Sequence, residues 1–166
     1  MSYVTFYRGD PAHAPKTTMP AHLWANAIIL WNDKLLLERR RDSNTWGLVG
    51  GGCKKQETGR QAIVREVYEE LGLRIPGEHF QKLAVYGEPG RIAAYRDGSI
   101  WRMVIVVYGL ILKEEPQLRI SEESRELRFF SREEIAGIEI PVTHSDIVED
   151  WFVNCPTARI ESMENP

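Results

Sequence analysis

The stretch REVYEELG, Arg65 to Gly72, holds three glutamates, Glu66, Glu69 and Glu70, on less than two turns of a predicted helix. Like charges three and four residues apart on a helix repel, each pair costing about 0.2–0.5 kcal/mol. A solvated acidic face, with Arg65 offsetting part of the repulsion, is the first reading any such cluster invites. The residues upstream favour another. Gly50, Gly51 and Gly52 let the backbone take positive φ and approach a ligand closely. Glu57 stands at the junction of loop and helix. Backbone carbonyls facing clustered carboxylates supply the several oxygen ligands that a hard divalent cation requires. Such a cation would also offset the repulsion among the glutamates.

The helix that must position them has its own signals. Thr58 is a candidate N-cap, and Gln61 three residues on can complete a capping box. Ala62, Ile63, Val67 and Leu71 recur at helical spacing and would face the core. Gly72 is the expected left-handed residue after the last turn. These features predict a helix over about 59–71, with Glu66 and Glu70 on one face and Arg65 able to pair with Glu69.

Around the helix the chain reads as mixed α/β. Leu23–Trp31 and KLLLERR, flanking a turn at Asn32-Asp33, predict a hairpin. RDSNTWGLVGGG reads as a loop, a short apolar segment and glycines. QKLAVYG, IWRMVIVVYGLIL (Ile100–Leu112) and RELRFFS read as strands, the second of them buried. EPGRIAAYRDGS reads as turn-rich, with a hairpin-type turn at Asp97-Gly98. Ser131 and Thr143 open helix-start patterns, and Ile147, Val148, Trp151 and Phe152 form an apolar stripe read as core.

Composition sets the bounds. The 166 residues suffice for one domain with a proper core. A net charge of −3 argues against non-specific nucleic-acid binding and leaves small phosphorylated partners open. Cys53 and Cys155 make no disulfide framework and read as thiols in a reducing compartment. With no signal-peptide core and no apolar run of spanning length, the expectation is a cytoplasmic protein with no membrane contact.

The segment from Gly51 to Leu73 resembles the Nudix box, GX5EX7REUXEEXGU, where U is a bulky aliphatic residue. Gly51, Glu57, Arg65, Glu66, Val67, Glu69, Glu70, Gly72 and Leu73 match all nine specified positions. LLLERRRDSNTWGLVGG is similar to the strand and WxLPGG entry of the family, with Val49 where many members carry proline and Gln56 where many carry glycine. The resemblance is strong over 46–73 and extends in organisation over about 22–155. It implies an α/β/α sandwich around a central mixed sheet for residues 21–166, with residues 1–20 as an N-terminal arm outside it.

The resemblance also implies Mg²⁺- or Mn²⁺-dependent hydrolysis of a nucleoside diphosphate linked to another group. The alternative is a family module that binds its ligand without hydrolysis. Glu66 and Glu70 would be principal metal ligands, with Glu69 joining them and the Gly51 carbonyl as a further ligand. Glu57 would be a ligand or an orienting group. Arg65 would hold the glutamates by a fork-like ion pair. The general base would be a box glutamate or one on the RISEESRE loop, which offers Glu122, Glu123 and Glu126; Glu123 is the candidate carried forward.

Substrate contacts rest on thinner signals. Arg39 and Arg41 would share one face of a strand and reach a phosphate, with ordinary surface charge as the competing reading. Trp46 would stack a base, against a core role. Pro89, sixteen positions after Leu73, tilts the substrate toward ADP-ribose by the resemblance, although GEPG explains it as a turn. NDP-sugars and dinucleoside polyphosphates stand beside it. Residues 1–7, MSYVTFY, alternate Tyr3, Thr5 and Tyr7 against Val4 and Phe6, which is strand-like. A lone strand leaves its backbone unpaired, so it would pair either with its own sheet or across a homodimer, the latter favoured by the resemblance.

Overall fold

The computed structural model describes residues 4–164; the part of the arm reading that falls on Tyr3 lies outside them. The strands are β1 (Val4–Arg8), β2 (His22–Trp31), β3 (Lys34–Arg40), β4 (Trp46–Gly47), β5 (Val49–Gly52), β6 (Gln81–Tyr86), β7 (Arg91–Tyr95), β8 (Ile100–Leu112) and β9 (Ser124–Phe130). The helices are α1 (Gly59–Leu71), α2 (Arg132–Ile135), α3 (Val142–Val148), which continues as a wider π turn over Glu149–Val153, and α4 (Thr157–Glu164).

One sheet runs β1-β7-β8-β2-β3-β4, with β5 on β2, β6 on β8 and β9 on β3. Among the described residues only β2 and β8 pair in parallel, from His22↔Met103 to Trp31↔Leu112; the other pairs are antiparallel. The hairpin at Asn32-Asp33 forms as expected. Both turn residues have positive φ, 51° and 58°, which suits a two-residue turn matched to strand twist. Its arms stay paired only near the turn, because β5 takes the place beside β2 further along.

The central strands are apolar on both faces, and the two faces feed two cores. Ala25, Ala27, Ile29, Leu36, Val106 and Leu110 pack with Ala62, Ile63, Val67 and Leu71 of α1. Ile28, Leu30, Leu35, Leu37, Ile105 and Val107 pack with Ile147, Val148 and Phe152 of α3 and its continuation and with Ile160 of α4. The result is the expected α/β/α layering, with helices covering both sides of a mixed sheet. Each fully buried aliphatic side chain here contributes about 1.5–3 kcal/mol.

Helix α1 has the predicted bounds. The Thr58 hydroxyl accepts from the Gln61 N–H, the Gln61 side chain returns to the Thr58 N–H, and Gly72 sits at φ 74°. Ser131 likewise completes a capping box with Glu134. The start expected at Thr143 is displaced. Helix α3 begins at Val142 after Pro141, whose φ of −54° suits a helix entry, and Thr143 turns inward and is fully buried.

Three strands escape the sequence patterns, the first being the two-residue β4. β5 comprises Val49 and the three glycines, and β7 lies inside the turn-rich segment before the Asp97-Gly98 turn, which forms with Gly98 at φ 88°. β7 is where the arm docks: Val4↔Tyr95 through Arg8↔Arg91 form an antiparallel ladder, so β1 pairs within its own chain. The anchor is Arg91, fully buried, which donates to Glu88, to Asp146 and to the Thr143 carbonyl; Arg8 of β1 reaches the same Asp146 at 3.2 Å.

Candidate active site

The glycine turn and the glutamate face of α1 meet at one wall of a cleft of about 320 Å³. Gly50 has φ 136°, and a Cβ there would stand 2.0 Å from the Ala25 carbonyl oxygen, so a side chain is excluded. Its N–H donates to Glu70 Oε2 at 2.9 Å. At Gly51 a Cβ would lie 2.6 Å from Glu66 Oε1. Bare backbone is what lets the turn press against the carboxylates.

Arg65 organises the cluster. Its Nε and Nη2 donate to Glu57 Oε1 and Oε2 at 2.8 and 2.9 Å, a fork on a carboxylate. Nη1 donates to Glu66 Oε1 at 2.6 Å and to Glu69 Oε2 at 3.1 Å, and Nη2 also reaches the Gly52 carbonyl at 3.1 Å. The guanidinium thus ties the loop to three of the four glutamates. Hydrogen bonds from Arg65, aided by the Lys54 N–H, hold the Glu57 carboxyl down at about 2.

Glu70 differs from its neighbours. It is 3% exposed, and among the described residues the hydrogen bond its side chain receives comes from the Gly50 N–H. Burial, with Glu38 and Glu66 nearby, pushes its carboxyl well above the usual range. Burial also raises Glu66, against the pull of Arg65. Glu38, 1% exposed on β3, is raised chiefly by burial and accepts from the Ser124 hydroxyl. A buried carboxylate with so little compensation is a group that a bound cation would satisfy.

The donor chemistry suits a hard divalent cation: carboxylates and one backbone carbonyl, all oxygen. Among the described residues no three acidic, histidine or cysteine side chains are gathered closely enough to enclose an ion. Arg65, standing between Glu66 and Glu69, accounts for part of that spacing.

The expected residues divide clearly. Gly51, Arg65, Glu66, Glu69, Glu70 and Glu123 line the cleft together. Glu57 lies behind Arg65 rather than on the cleft wall. Of the three glutamates on the RISEESRE loop, Glu123 alone borders the cleft; Arg41 pins that loop, its backbone N–H on the Glu123 carbonyl and its Nε on the Ser124 carbonyl, both at 3.0 Å. Arg39, Arg41 and Trp46 do not line the cleft. Trp46 packs edge-on against Phe130, centroids 4.8 Å apart, and belongs to the core. Of the three consecutive arginines, Arg40 is the one that lines it, beside Arg65 from the helix. Arg39 and Arg41 both miss the cleft while Arg40 between them lines it, so the expectation put the wrong face of β3 toward the cleft; Glu38 and Arg40 are the residues on that face, both beside Glu70.

Several cleft residues carried no sequence signal: Phe6, Trp24, Asn26, Tyr95 and His144. His144 is buried beside Arg40 and Gly47, its Nδ1 accepting the Leu48 N–H at 3.2 Å. Burial and the charges of Arg40 and Arg91 hold it down at about 3. Pro89 sits in the turn before β7 and is not a cleft residue.

Comparison with known proteins agrees with this geometry. A "MutT-like protein" of Streptomyces ambofaciens is 33% identical over 69 residues, 42% of this chain and 45% of that protein, so the match spans less than half of its length. An "ADP-ribose pyrophosphatase" of Methanocaldococcus jannaschii is 28% identical over 130 residues, 76% of this chain and 70% of that protein. In fold, the chain matches a MutT/nudix family protein from Enterococcus faecalis with a TM-score of 0.62 at 22% identity, over 92% of this chain and 70% of that one. The NUDIX domain model matches residues 21–151, the span that contains the glycine turn, α1 and all four box glutamates, and the chain belongs to that family.

Proposed function

We propose that this protein is a divalent-metal-dependent pyrophosphohydrolase acting on a nucleoside diphosphate linked to a second group. The observation that carries this reading is the meeting of Glu66, Glu69 and the buried Glu70 with the Gly51 backbone on one cleft wall. Glu66, Glu69, Glu70 and the Gly51 carbonyl would hold Mg²⁺ or Mn²⁺. When bound, the cation neutralises the diphosphate and makes water a better nucleophile.

The chain's own residues do the rest. Glu57 and Arg65 fix the positions of Glu66 and Glu69. Lys54 and Arg40 bring positive charge to the cleft and favour a polyanionic substrate. Glu123, exposed on the rim, is the group we assign to take the proton from the attacking water; Glu69 is the alternative within the helix. Buried free thiols at Cys53 and Cys155 fit a reducing, cytoplasmic setting.

ADP-ribose heads the substrates to be tried, supported by the M. jannaschii relative, followed by NDP-sugars, dinucleoside polyphosphates and nucleoside triphosphates. The purified protein, with Mg²⁺ and separately with Mn²⁺, is incubated with each, and phosphorylated products are separated by ion exchange. Metal-dependent cleavage of the diphosphate in at least one class is expected. Tight nucleotide binding with no cleavage under any metal would instead make the protein a ligand-binding module.

A further inference from the structure

The cleft that holds the glutamate wall has a second set of lining residues. Phe6, Tyr95 and Met103 line it with Arg40 and His144, while Trp24 and Asn26 of β2 lie opposite Gly52 and Gly50. Phe6 lies on β1, outside the span of the family match. The register places it there. Val4↔Tyr95 and Phe6↔Ala93 are opposite pairs, so Phe6 and Tyr95 are diagonal neighbours on one face of the β1–β7 ribbon, the face that also carries buried Val4 and Ala93. Both aromatic rings remain partly exposed, while Thr5 on the opposite face is solvent-facing.

Polar groups stand beside these rings. His144 is tilted 31° to Phe6 with centroids 6.5 Å apart. Because Nδ1 accepts the Leu48 N–H, the neutral ring carries its proton on Nε2, as a donor. Arg40 commits Nε and Nη2 to Asp42 at 2.9 and 2.7 Å, and among the described residues its Nη1 group is left for a ligand. Asn26 donates to the Leu48 and Val49 carbonyls, and its buried Oδ1 has no partner among the described residues. Flat apolar walls with a few convergent polar atoms suit an aromatic heterocycle better than a phosphate.

We propose that the N-terminal strand completes the specificity pocket: Phe6, with Tyr95 beside it, walls the seat of the nucleobase, and Arg40 and His144 donate to acceptor atoms on that base. This rests on the cleft being the nucleotide site. Arg8, tied to Asp146 beside buried Arg91, holds the strand and hence Phe6 in register. Phe6 acts on affinity for the base-bearing half and leaves the diphosphate end untouched.

Calorimetry on the full-length protein with Mg²⁺ tests this, with ADP, ribose 5-phosphate and inorganic pyrophosphate as ligands. Phe6→Ala should weaken ADP binding about 10-fold and leave pyrophosphate within about twofold, since base–aromatic stacking has that size. Phe6→Tyr should restore ADP affinity. Phe6→Leu, which keeps bulk but loses the ring face, should behave as Phe6→Ala, and guards against loss through misfolding. Thr5→Ala is the control and should bind as wild type. Equal weakening of ADP and pyrophosphate, or no weakening of either, overturns the proposal. Wild-type protein that binds ADP through Phe6 but cleaves no substrate would overturn the hydrolase reading alone; wild-type protein that binds no nucleotide would overturn both.

Discussion

Arg65 and Glu57 are joined by two nearly equal hydrogen bonds, 2.8 and 2.9 Å, across the eight positions that separate loop from helix. This fork closes the glycine loop onto α1. The same guanidinium spends its remaining donor capacity on Glu66, Glu69 and the Gly52 carbonyl, so one side chain sets the spacing of the site.

Arg65→Lys keeps the charge and loses the fork. Turnover is expected to fall by about 10- to 100-fold, the usual cost of losing a group that orients ligands. Steady-state kinetics at saturating Mg²⁺ checks this. Wild-type turnover in Arg65→Lys would show that the glutamates hold their places without it.

Glu70→Gln and Glu66→Gln should each reduce turnover by orders of magnitude while leaving the fold intact. Metal binding should stabilise the wild-type protein by mass action, raising its thermal midpoint as Mg²⁺ or Mn²⁺ is added. That rise should shrink in both variants. In metal-free buffer Glu70→Gln should match or exceed the wild-type midpoint, because it removes a poorly compensated buried carboxylate and keeps an acceptor for the Gly50 N–H. Calorimetric scans with chelator and then with metal measure both effects; a metal-induced rise in Glu70→Gln equal to that of the wild type would remove Glu70 from the ligand set.

Gly51→Ala tests the close approach. The added Cβ meets Glu66 Oε1 at 2.6 Å, so the carboxylate must move by several tenths of an ångström or more. Displacements near 1 Å at a reacting site cost about 100-fold. Turnover should fall toward that size with little change in far-ultraviolet circular dichroism. A fully active Gly51→Ala protein would mean that Glu66 has room to swing clear.

His144 gives a pH signature in stability. Its folded value is held at about 3 against 6.5 for the free side chain. Between these values the unfolded chain binds the proton more readily, so the stability that His144 contributes is complete above pH 6.5 and is lost as pH falls toward 3. Over the first pH interval, from 6.5 to 5, the loss is about 2 kcal/mol. Urea unfolding of the wild type should show this slope, and His144→Gln, which retains an acceptor for the Leu48 N–H, should flatten it. Parallel slopes in both proteins would assign the acid sensitivity to other groups.

What was legible in the sequence is local. Thr58, Gln61, the apolar spacing of Ala62, Ile63, Val67 and Leu71, and Gly72 determine α1 and its ends, because caps and helical periodicity act within a few residues. Fixed spacing on that helix likewise put Glu66 and Glu70 on one face with Glu69 beside them, and the long apolar run of β8 read as a buried strand; the layering on both sides of the sheet was implied by the family resemblance. The rest of the cleft lining was decided by tertiary structure. Phe6, Trp24, Arg40 and His144 come from β1, β2, β3 and α3, and no periodicity relates them. β5 is held by pairing with β2 despite three glycines of low strand propensity, and β7 is held between β1 and β8. Arg40 faces the cleft while Arg41 turns away to pin the Glu123 loop, and which face of β3 meets the cleft is set by the strands and helix packed around it. Strand identity and facing depend on partners distant in the chain, and only the folded sheet supplies those partners.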